Sequence, residues 1–385
     1  MQECYIETAD ELAVFCGKIA PSAWLALDTE FIREKTYYPQ LCLLQISNGT
    51  VAACIDPLKL NSLEPLLEII MNPAIVKIFH AGRQDLEIFH HQWQRVPGPV
   101  FDTQLAAALL GLGEQIGYAN LVKQLLGVEL SKSHTRADWS LRPLQEGQLR
   151  YALDDVVYLG RLYTELRTRL AEKDRLNWMT EEFEQLADNT TYAVDPRAAW
   201  NKIRGTQKLT RSQLAVLREL AAWRENRAMA ANRPRRWIVK DELLVELARK
   251  RPADMQRLEA VRGMEGELLK REGEHLLNLI RQAQRSPRDE WPTVRAPSVR
   301  LSPNQEAMVD LLQCSLRLLA ETHQMTPAAL ATRKSLELLT AGERDLELLQ
   351  GWRKQLAGKS LLDVLEGRLV PEIRDGRLIL TLPPS

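Results

Sequence analysis

The chain has 385 residues, 45% apolar and 26% charged, which fits a soluble folded protein and excludes collagen-like, low-complexity and disordered classes. At roughly 100–200 residues per domain, two or three domains are expected. The net charge of zero hides a segregation: residues 1–170 carry −5, 171–206 carry −2, 207–290 carry +6 and 291–385 carry +1. An acidic block followed by a basic one suits an enzyme that gathers metal-binding carboxylates in one domain and grips a polyanion with another. Five scattered cysteines without a C-x-x-C pair indicate neither a disulfide framework nor a thiolate zinc site. The acidic N-terminus is unlike a signal peptide and no run of about 18 apolar residues occurs, so no membrane association and a cytoplasmic location are expected.

In chain order, Trp24 to Leu27 reads as a short buried strand. Two further strands, Leu41 to Ile46 and Val51 to Ile55, flank Ser47-Asn-Gly-Thr50, whose Asn-Gly pair signals a hairpin. Ile75 to Phe79 and Pro99 to Phe101 complete the strands, with helices near 62–71, 83–93 and 103–111. This alternation predicts an α/β domain with a mixed sheet and flanking helices. From about residue 118 strand signals stop until the C-terminal tail. Residues 145–171 read as one long helix, because Leu149, Ala152, Leu153, Val156, Leu159 and Leu162 recur at helical spacing. A connecting helical segment runs to about residue 190, and Asp195-Pro196 breaks it.

Residues 209–284 form an all-helical block, and Arg285 to Pro297 is a proline-rich linker. The second helical block, from residue 301, parallels the first: Leu209-Thr-Arg-Ser-Gln213 matches Leu301-Ser-Pro-Asn-Gln305, and Val261-Arg-Gly263 matches Leu349-Gln-Gly351. Leu369 to Leu382 suggests a terminal hairpin around Arg374-Asp-Gly-Arg377.

Three acidic elements carry the chemistry. Asp28 and Glu30 lie two apart at the end of the first buried strand, so they share a face. Hard divalent cations want carboxylate oxygens, and phosphate chemistry uses two such ions roughly 3.5–4 Å apart. Asp85 falls in the first turns of the helix after Phe79-His-Ala-Gly82. Tyr151 and Asp155, four apart, share a helix face, while Asp154 turns roughly 100° away. A phenol beside a metal-bound carboxylate can orient or deprotonate an attacking water. Asp102-Thr103 reads as a helix cap, and His80, His90, His91 and His134 lack paired ligand spacing.

The order of these elements resembles the DEDD exonucleases of the tyrosine-bearing subgroup. Trp24-Leu-Ala-Leu-Asp-Thr-Glu-Phe-Ile32, Tyr37-Tyr-Pro-Gln-Leu-Cys-Leu-Leu-Gln-Ile46, Phe79-His-Ala-Gly82 with Asp85-Leu-Glu87, Phe101-Asp-Thr-Gln104, Asp138-Trp-Ser-Leu-Arg-Pro143 and Tyr151-Ala-Leu-Asp-Asp155 are similar to the ribonuclease D family. The resemblance implies a ribonuclease H-like 3′→5′ exonuclease domain over residues 1–190. It also implies a first HRDC domain over 207–288, a linker over 289–300 and a second, divergent HRDC-like domain over 301–385. By the same resemblance Asp28, Glu30, Asp85 and Asp155 hold two divalent ions (Mg²⁺ or Mn²⁺) and Tyr151 positions the water. Single nucleotides would leave the RNA 3′ end as 5′-monophosphates, with tRNA precursors and small structured RNAs as substrates and no obligate protein partner. A 3′→5′ DNA exonuclease and a catalytically idle RNA-binding adaptor are the alternatives. In the first helical block Arg235, Arg236 and Lys240 are the expected RNA-binding cations, with Trp237 read as more at home in a small core than on the surface. A chain ending near residue 200 is expected to cleave short oligonucleotides.

Overall fold

The computed structural model describes residues 1–131, 137–293 and 301–383. Among these residues a six-stranded sheet runs in the order β1-β4-β3-β2-β5-β6. Its strands are β1 (Gln2–Ile6), β2 (Trp24–Ile32), β3 (Gln40–Ser47), β4 (Val51–Ile55), β5 (Val76–Phe79) and β6 (Val100–Asp102). The β3/β4 pair is antiparallel, whereas β1/β4, β2/β5 and β5/β6 are parallel, which makes the sheet mixed. The β3–β4 turn forms as its Asn-Gly pair dictates. Asn48 accepts from the backbone of Thr50 and Val51, both at 3.0 Å, and Gly49 takes a left-handed φ of 87°.

β1 and the helix that follows it, α1 (Ala9–Ile19), are absent from the sequence expectation. The helix announces itself through a capping box, Thr8 with Glu11, which is legible in the sequence. β1 is not legible, because only Ile6 of its five residues is buried and pairing with β4 supplies the rest. Helices α2 (Glu64–Ile70), α3 (Arg83–Trp93), α4 (Thr103–Leu109) and α5 (Tyr118–Leu126) follow. The single helix expected over 145–171 is two, α6 (Glu146–Val157) and α7 (Leu159–Glu172), separated at Tyr158. Gly160 lets α7 press on β2, since a Cβ there would lie 2.2 Å from the Trp24 ring. α8 (Thr180–Ala187) completes the expected connecting segment.

The described chain divides into two compact units. One comprises Met1–Ile32, Leu41–Tyr192 and the described part of Val299–Ser385; the other comprises Arg33–Gln40 and the described part of Ala193–Ser298. In the first, alternation along β2 sends Leu25 and Leu27 into a core with Leu86 and Phe89 of α3. Ala26 goes to the opposite face, into a core with Leu159 and Leu162 of α7.

The second unit holds α9 (Arg211–Ala230), α10 (Arg235–Ile238), α11 (Asp241–Lys250), α12 (Met255–Glu259) and α13 (Gly266–Arg285) around its own core of Leu217, Leu220, Leu244, Leu276 and Ile280. The Arg33–Gln40 loop belongs to this core's surroundings. Tyr37 is buried and its hydroxyl donates to Glu225, while Asn232 accepts from the backbone of Tyr37 and Tyr38, both at 3.1 Å.

In the first unit α14 (Pro303–Thr322), α15 (Pro327–Leu330) and α16 (Arg333–Thr340) share one hydrophobic core with the sheet helices, through Val309, Leu312, Leu316 and Leu336. The terminal hairpin forms as expected, Val370–Arg374 against Arg377–Thr381. The linker expected over 285–297 lies partly outside the described residues. Its described part includes Trp291, whose indole donates to the Ser286 carbonyl at 3.1 Å.

Candidate active site and nucleic-acid surface

β2 lies between β3 and β5, paired with β5 from Trp24 to Ala26, and beyond that pairing Asp28 and Glu30 leave it on the Ala26 face, toward α6. Asp155 projects from α6 to meet them. Asp28, Glu30 and Asp155 each offer a carboxylate oxygen, all within 4.8 Å of one another. Asp85 arrives from the other side of β2, in the first turn of α3, and the Thr29 hydroxyl donates to it. It stands outside the close trio, yet after burial its charge is the strongest influence on Asp28.

The α3 N-terminus is placed by the turn before it. Ala81 takes a φ of 56°, and a Cβ on Gly82 would fall 2.4 Å from that of Phe79, so only glycine fits. Asp102 accepts from the backbone N–H of Ala81 at 3.2 Å and Gly82 at 2.9 Å, and from Gln104 at 2.8 Å as the cap of α4. The cap reading of Asp102 therefore holds, with the turn that aims Asp85 fastened to the same carboxylate. His80 is structural: its ring nitrogens lie 2.9 Å from the Thr103 hydroxyl and from the Ile116 carbonyl. His90 and His91 sit in the last turn of α3. His134 lies outside the described residues.

Burial raises all four carboxyls, and repulsion from neighbouring carboxylates adds to it. Asp28 is held well above the usual range, Glu30 is pushed to about 9, and Asp85 and Asp155 to about 7. The arrangement is an all-oxygen cleft whose ionised form is costly until positive charge enters, and its donors are those that hard divalent cations take.

Tyr151 is half-buried, four residues before Asp155, and with Asp155, Tyr118 and Asn120 it lines a cavity of about 240 Å³. Asp154, expected to turn away, pairs with Arg150 at 2.7 Å but also lines this cavity, and after burial its charge is the strongest influence on Asp155. Tyr118 is missing from the sequence expectation. Its hydroxyl donates to the Asp154 carbonyl at 2.8 Å, and burial, then the charges of Asp155 and Asp28, hold its phenol protonated. No spacing rule marks it; it reaches the cluster because α5 packs on α7, which brings the Tyr118 hydroxyl to the Asp154 carbonyl of α6.

The 3′-5′ exonuclease family profile matches residues 4–171 and the HRDC domain profile residues 213–280. Ribonuclease D of Acidiphilium cryptum is 40% identical, covering 98% of this chain and 97% of its own. The chain belongs to the ribonuclease D family. Ribonuclease D of Pseudomonas paraeruginosa is 39% identical, covering 94% of this chain and 97% of its own. The crystal structure of Escherichia coli RNase D, described as an exoribonuclease involved in structured RNA processing, superposes with a TM-score of 0.81 at 33% identity over 95% of this chain and 99% of that one. The catalytic core of RRP6 from Trypanosoma brucei, at 23% identity and a TM-score of 0.55, shares the fold. Members of the family are 3′→5′ exoribonucleases, and so is this chain; the DEDD exonucleases are metal-dependent and the acidic cluster supplies the ligand chemistry that requires.

The HRDC domain distributes its cations unequally. Arg235 departs from the expectation of a cation free for RNA: its guanidinium is engaged with Glu225, itself 1% exposed, and donates to the Tyr37 hydroxyl at 2.9 Å. A buried carboxylate claims the charge that the sequence offers to RNA. Arg236 pairs only loosely, at 3.2 Å, with exposed Glu242. Arg236, Lys240, Arg249, Lys250 and Arg262 line a cavity of about 1230 Å³ together with Trp237. Trp237 is 60% exposed, contrary to the core position expected for it. The helix that carries it has four residues and turns its indole outward, while Val239 enters the core instead.

Proposed function

We propose that Asp28, Glu30, Asp85 and Asp155 hold two divalent ions, Mg²⁺ or Mn²⁺, and that Tyr151 orients the water that attacks the terminal RNA phosphodiester. Nucleotides leave the 3′ end one at a time as 5′-monophosphates, in tRNA 3′-end maturation and in processing of small structured RNAs. The observation that carries this reading is the convergence of four mutually repelling carboxylates from β2, α3 and α6 on one cleft, Asp85 buried and Asp28, Glu30 and Asp155 partly so. Bound there, the ions supply Lewis acidity to the phosphate and lower the cost of ionising water. β2 fixes Asp28 and Glu30 rigidly, the Thr29 hydroxyl orients Asp85, and the helical four-residue spacing holds the Tyr151 phenol on the face of Asp155. Arg236, Lys240 and the exposed Trp237 serve RNA, the cations on phosphates and the indole on an unpaired base.

The domain organisation we propose is an exonuclease domain over 1–190, an HRDC domain over 207–288, a linker over 289–300 and a diverged second copy over 301–385. Parallels between the blocks support the copy. α9 and α14 each open with a capping box and span 20 residues. Each is followed by a left-handed residue, Asn232 or Gln324, and then by a four-residue helix. We propose further that the protein acts in the cytoplasm without an obligate protein partner.

End-labelled RNA and DNA oligonucleotides, incubated in parallel with Mg²⁺, with Mn²⁺ and with chelator, test the reading. Metal-dependent shortening of RNA from the 3′ end is expected. Equal or faster digestion of DNA would make the enzyme a DNA exonuclease, and binding without shortening would make it an adaptor.

A further inference from the structure

The segment Asp138-Trp-Ser-Leu-Arg-Pro143 is far better anchored than its position before α6 requires. Arg142 engages all three of its guanidinium nitrogens. Its Nε reaches Asp56 Oδ2 at 2.6 Å and its Nη2 reaches Asp56 Oδ1 at 2.8 Å. Nη2 also meets the Cys42 carbonyl at 2.7 Å, and Nη1 meets the Trp139 and Leu141 carbonyls, both at 2.8 Å. Asp56 is completely buried at the end of β4 and also takes the Tyr5 hydroxyl and the Leu58 N–H, the latter at 3.0 Å. A bidentate, desolvated pair of this kind is geometrically stiff, and a lysine could not reproduce it.

What the clamp holds is Trp139. The indole is 2% exposed and packs with Cys42 of β3, Ala52 and Cys54 of β4, and Ala152 and Leu153 of α6. Its ring centroid lies 6.1 Å from that of Tyr151, with the planes 33° apart. Trp139 is therefore one wall of the Tyr151 ring, and Tyr151 also lines the cavity that it shares with Asp155. The mechanical linkage runs from the sheet, through Arg142, to the Trp139 backbone, and from the Trp139 ring to the phenol.

We propose that Arg142, locked on Asp56, is a positioning residue that sets the Tyr151 phenol through Trp139. The proposal rests on the reading of Tyr151 as the water-orienting group. The hydrogen-bond partners described for Arg142 are Asp56 and the carbonyls of Cys42, Trp139 and Leu141, none of them a proposed metal ligand; the clamp fixes the ring beside which the phenol stands, and a displacement of about 1 Å in a reacting group can cost up to about 10²-fold in rate.

The test is a double-mutant cycle on the full-length protein with a short single-stranded RNA at saturating Mg²⁺, well below the melting temperature of each variant. Arg142→Lys keeps the charge and Trp139→Phe keeps an aromatic core. Each is expected to lower kcat on the order of 10-fold with KM within about twofold. In a Tyr151→Phe background both effects should vanish, because there is no hydroxyl left to place. If the losses multiply undiminished in that background, or if kcat is unchanged, the positioning role is wrong. A Tyr151→Phe protein with wild-type kcat overturns instead the role of Tyr151 itself. Should Arg142→Lys be unfolded at the assay temperature, Trp139→Phe closes the same cycle.

Discussion

The two helical blocks begin alike and end in different employment. The first, α9 to α13, closes a core of its own around Leu220, Leu244 and Ile280. The second, from α14 onward, lays its apolar face into the core that also contains Ala26, Ile78 and Leu162 of the exonuclease domain. Polar anchors reinforce this: Arg175 donates to the Leu109 carbonyl at 2.7 Å and to the His323 carbonyl at 2.6 Å, and Thr326 donates to the Ala108 carbonyl at 3.2 Å. The Trp178 and Trp352 rings stack at 5.0 Å and 10°. An amphipathic pattern specifies that a face must be covered, and leaves open by what. The block with +6 charge closes its own core, and the block with +1 helps to build the core that the exonuclease sheet shares.

The largest break in this comparison comes from deletion. A chain ending at residue 293 would leave the shared core open to water, losing several buried leucines at about 2–5 kcal/mol each against a typical total stability of about 5–15 kcal/mol. It is expected to be insoluble or inactive. The shorter chain ending near residue 200, which the sequence suggests should cleave, is expected to fail for the same reason. Soluble, active protein from either truncation would show that the second block is a dispensable cover.

Next in size is chemistry without folding. Asp28→Asn and Asp155→Asn should each cut RNA digestion by roughly 10³-fold or more, while melting of the metal-free protein moves upward. The sign follows from the raised carboxyls. Their protonated forms are favoured in the fold, so the contribution of these four groups to metal-free stability is fullest below about pH 4, the unfolded range. It falls as pH rises through about 7 for Asp85 and Asp155 and about 9 for Glu30. Thermal melts in chelator between about pH 5 and 9 should therefore slope downward, and saturating Mg²⁺ or the Asn substitutions should flatten them. A flat metal-free profile would mean that the cleft is wetter than its burial indicates.

A smaller but sharper comparison uses matched core truncations. Leu316→Ala in α14 and Leu244→Ala in α11 remove equally buried side chains, 1% and 0% exposed, each costing about 2–5 kcal/mol. Hydrogen exchange should place the loss differently. Leu316→Ala is expected to speed exchange in β2 and α7 as well as α14, and Leu244→Ala only within the HRDC domain. Matching exchange patterns for the two variants would dissolve the distinction between the blocks.

The legible parts of this molecule are those where chemistry and periodicity coincide locally. Asp28 and Glu30 share a strand face and Tyr151 and Asp155 a helix face, so spacing alone pairs them; Asp85 needed the family resemblance, since its approach over Thr29 depends on a turn fastened by Asp102. The illegible parts are long-range claims on a side chain. Nothing near Arg235 says that a buried Glu225 will claim its charge together with Tyr37, 198 residues away in the chain. Nothing near Tyr118 says that α5 will pack on α7 and bring the phenol to the Asp154 carbonyl. Trp237 and Val239 are two residues apart, and only the packed domain decides which of them enters the core.

That last distinction yields the finest test. Arg236 and Lys240 line the HRDC cavity beside Trp237, whereas Arg235 holds Glu225. Replacing Arg236 and Lys240 by Gln should weaken RNA binding and flatten its dependence on salt, by about 0.7–0.9 of a logarithmic unit of slope for each phosphate left without its cation. Cleavage of a short oligonucleotide at saturation should stay within about twofold, because the carboxylates are untouched. Arg235→Gln strands a buried Glu225 carboxylate, so it should lower the melting temperature of the HRDC domain and leave the salt slope nearly as it was. Binding isotherms at several salt concentrations, paired with melting curves, separate the two outcomes. If instead Arg235→Gln flattens the slope and Arg236→Gln with Lys240→Gln does not, the RNA path runs over the Tyr37 side of the domain, and the first helical block grips its polyanion with a different face.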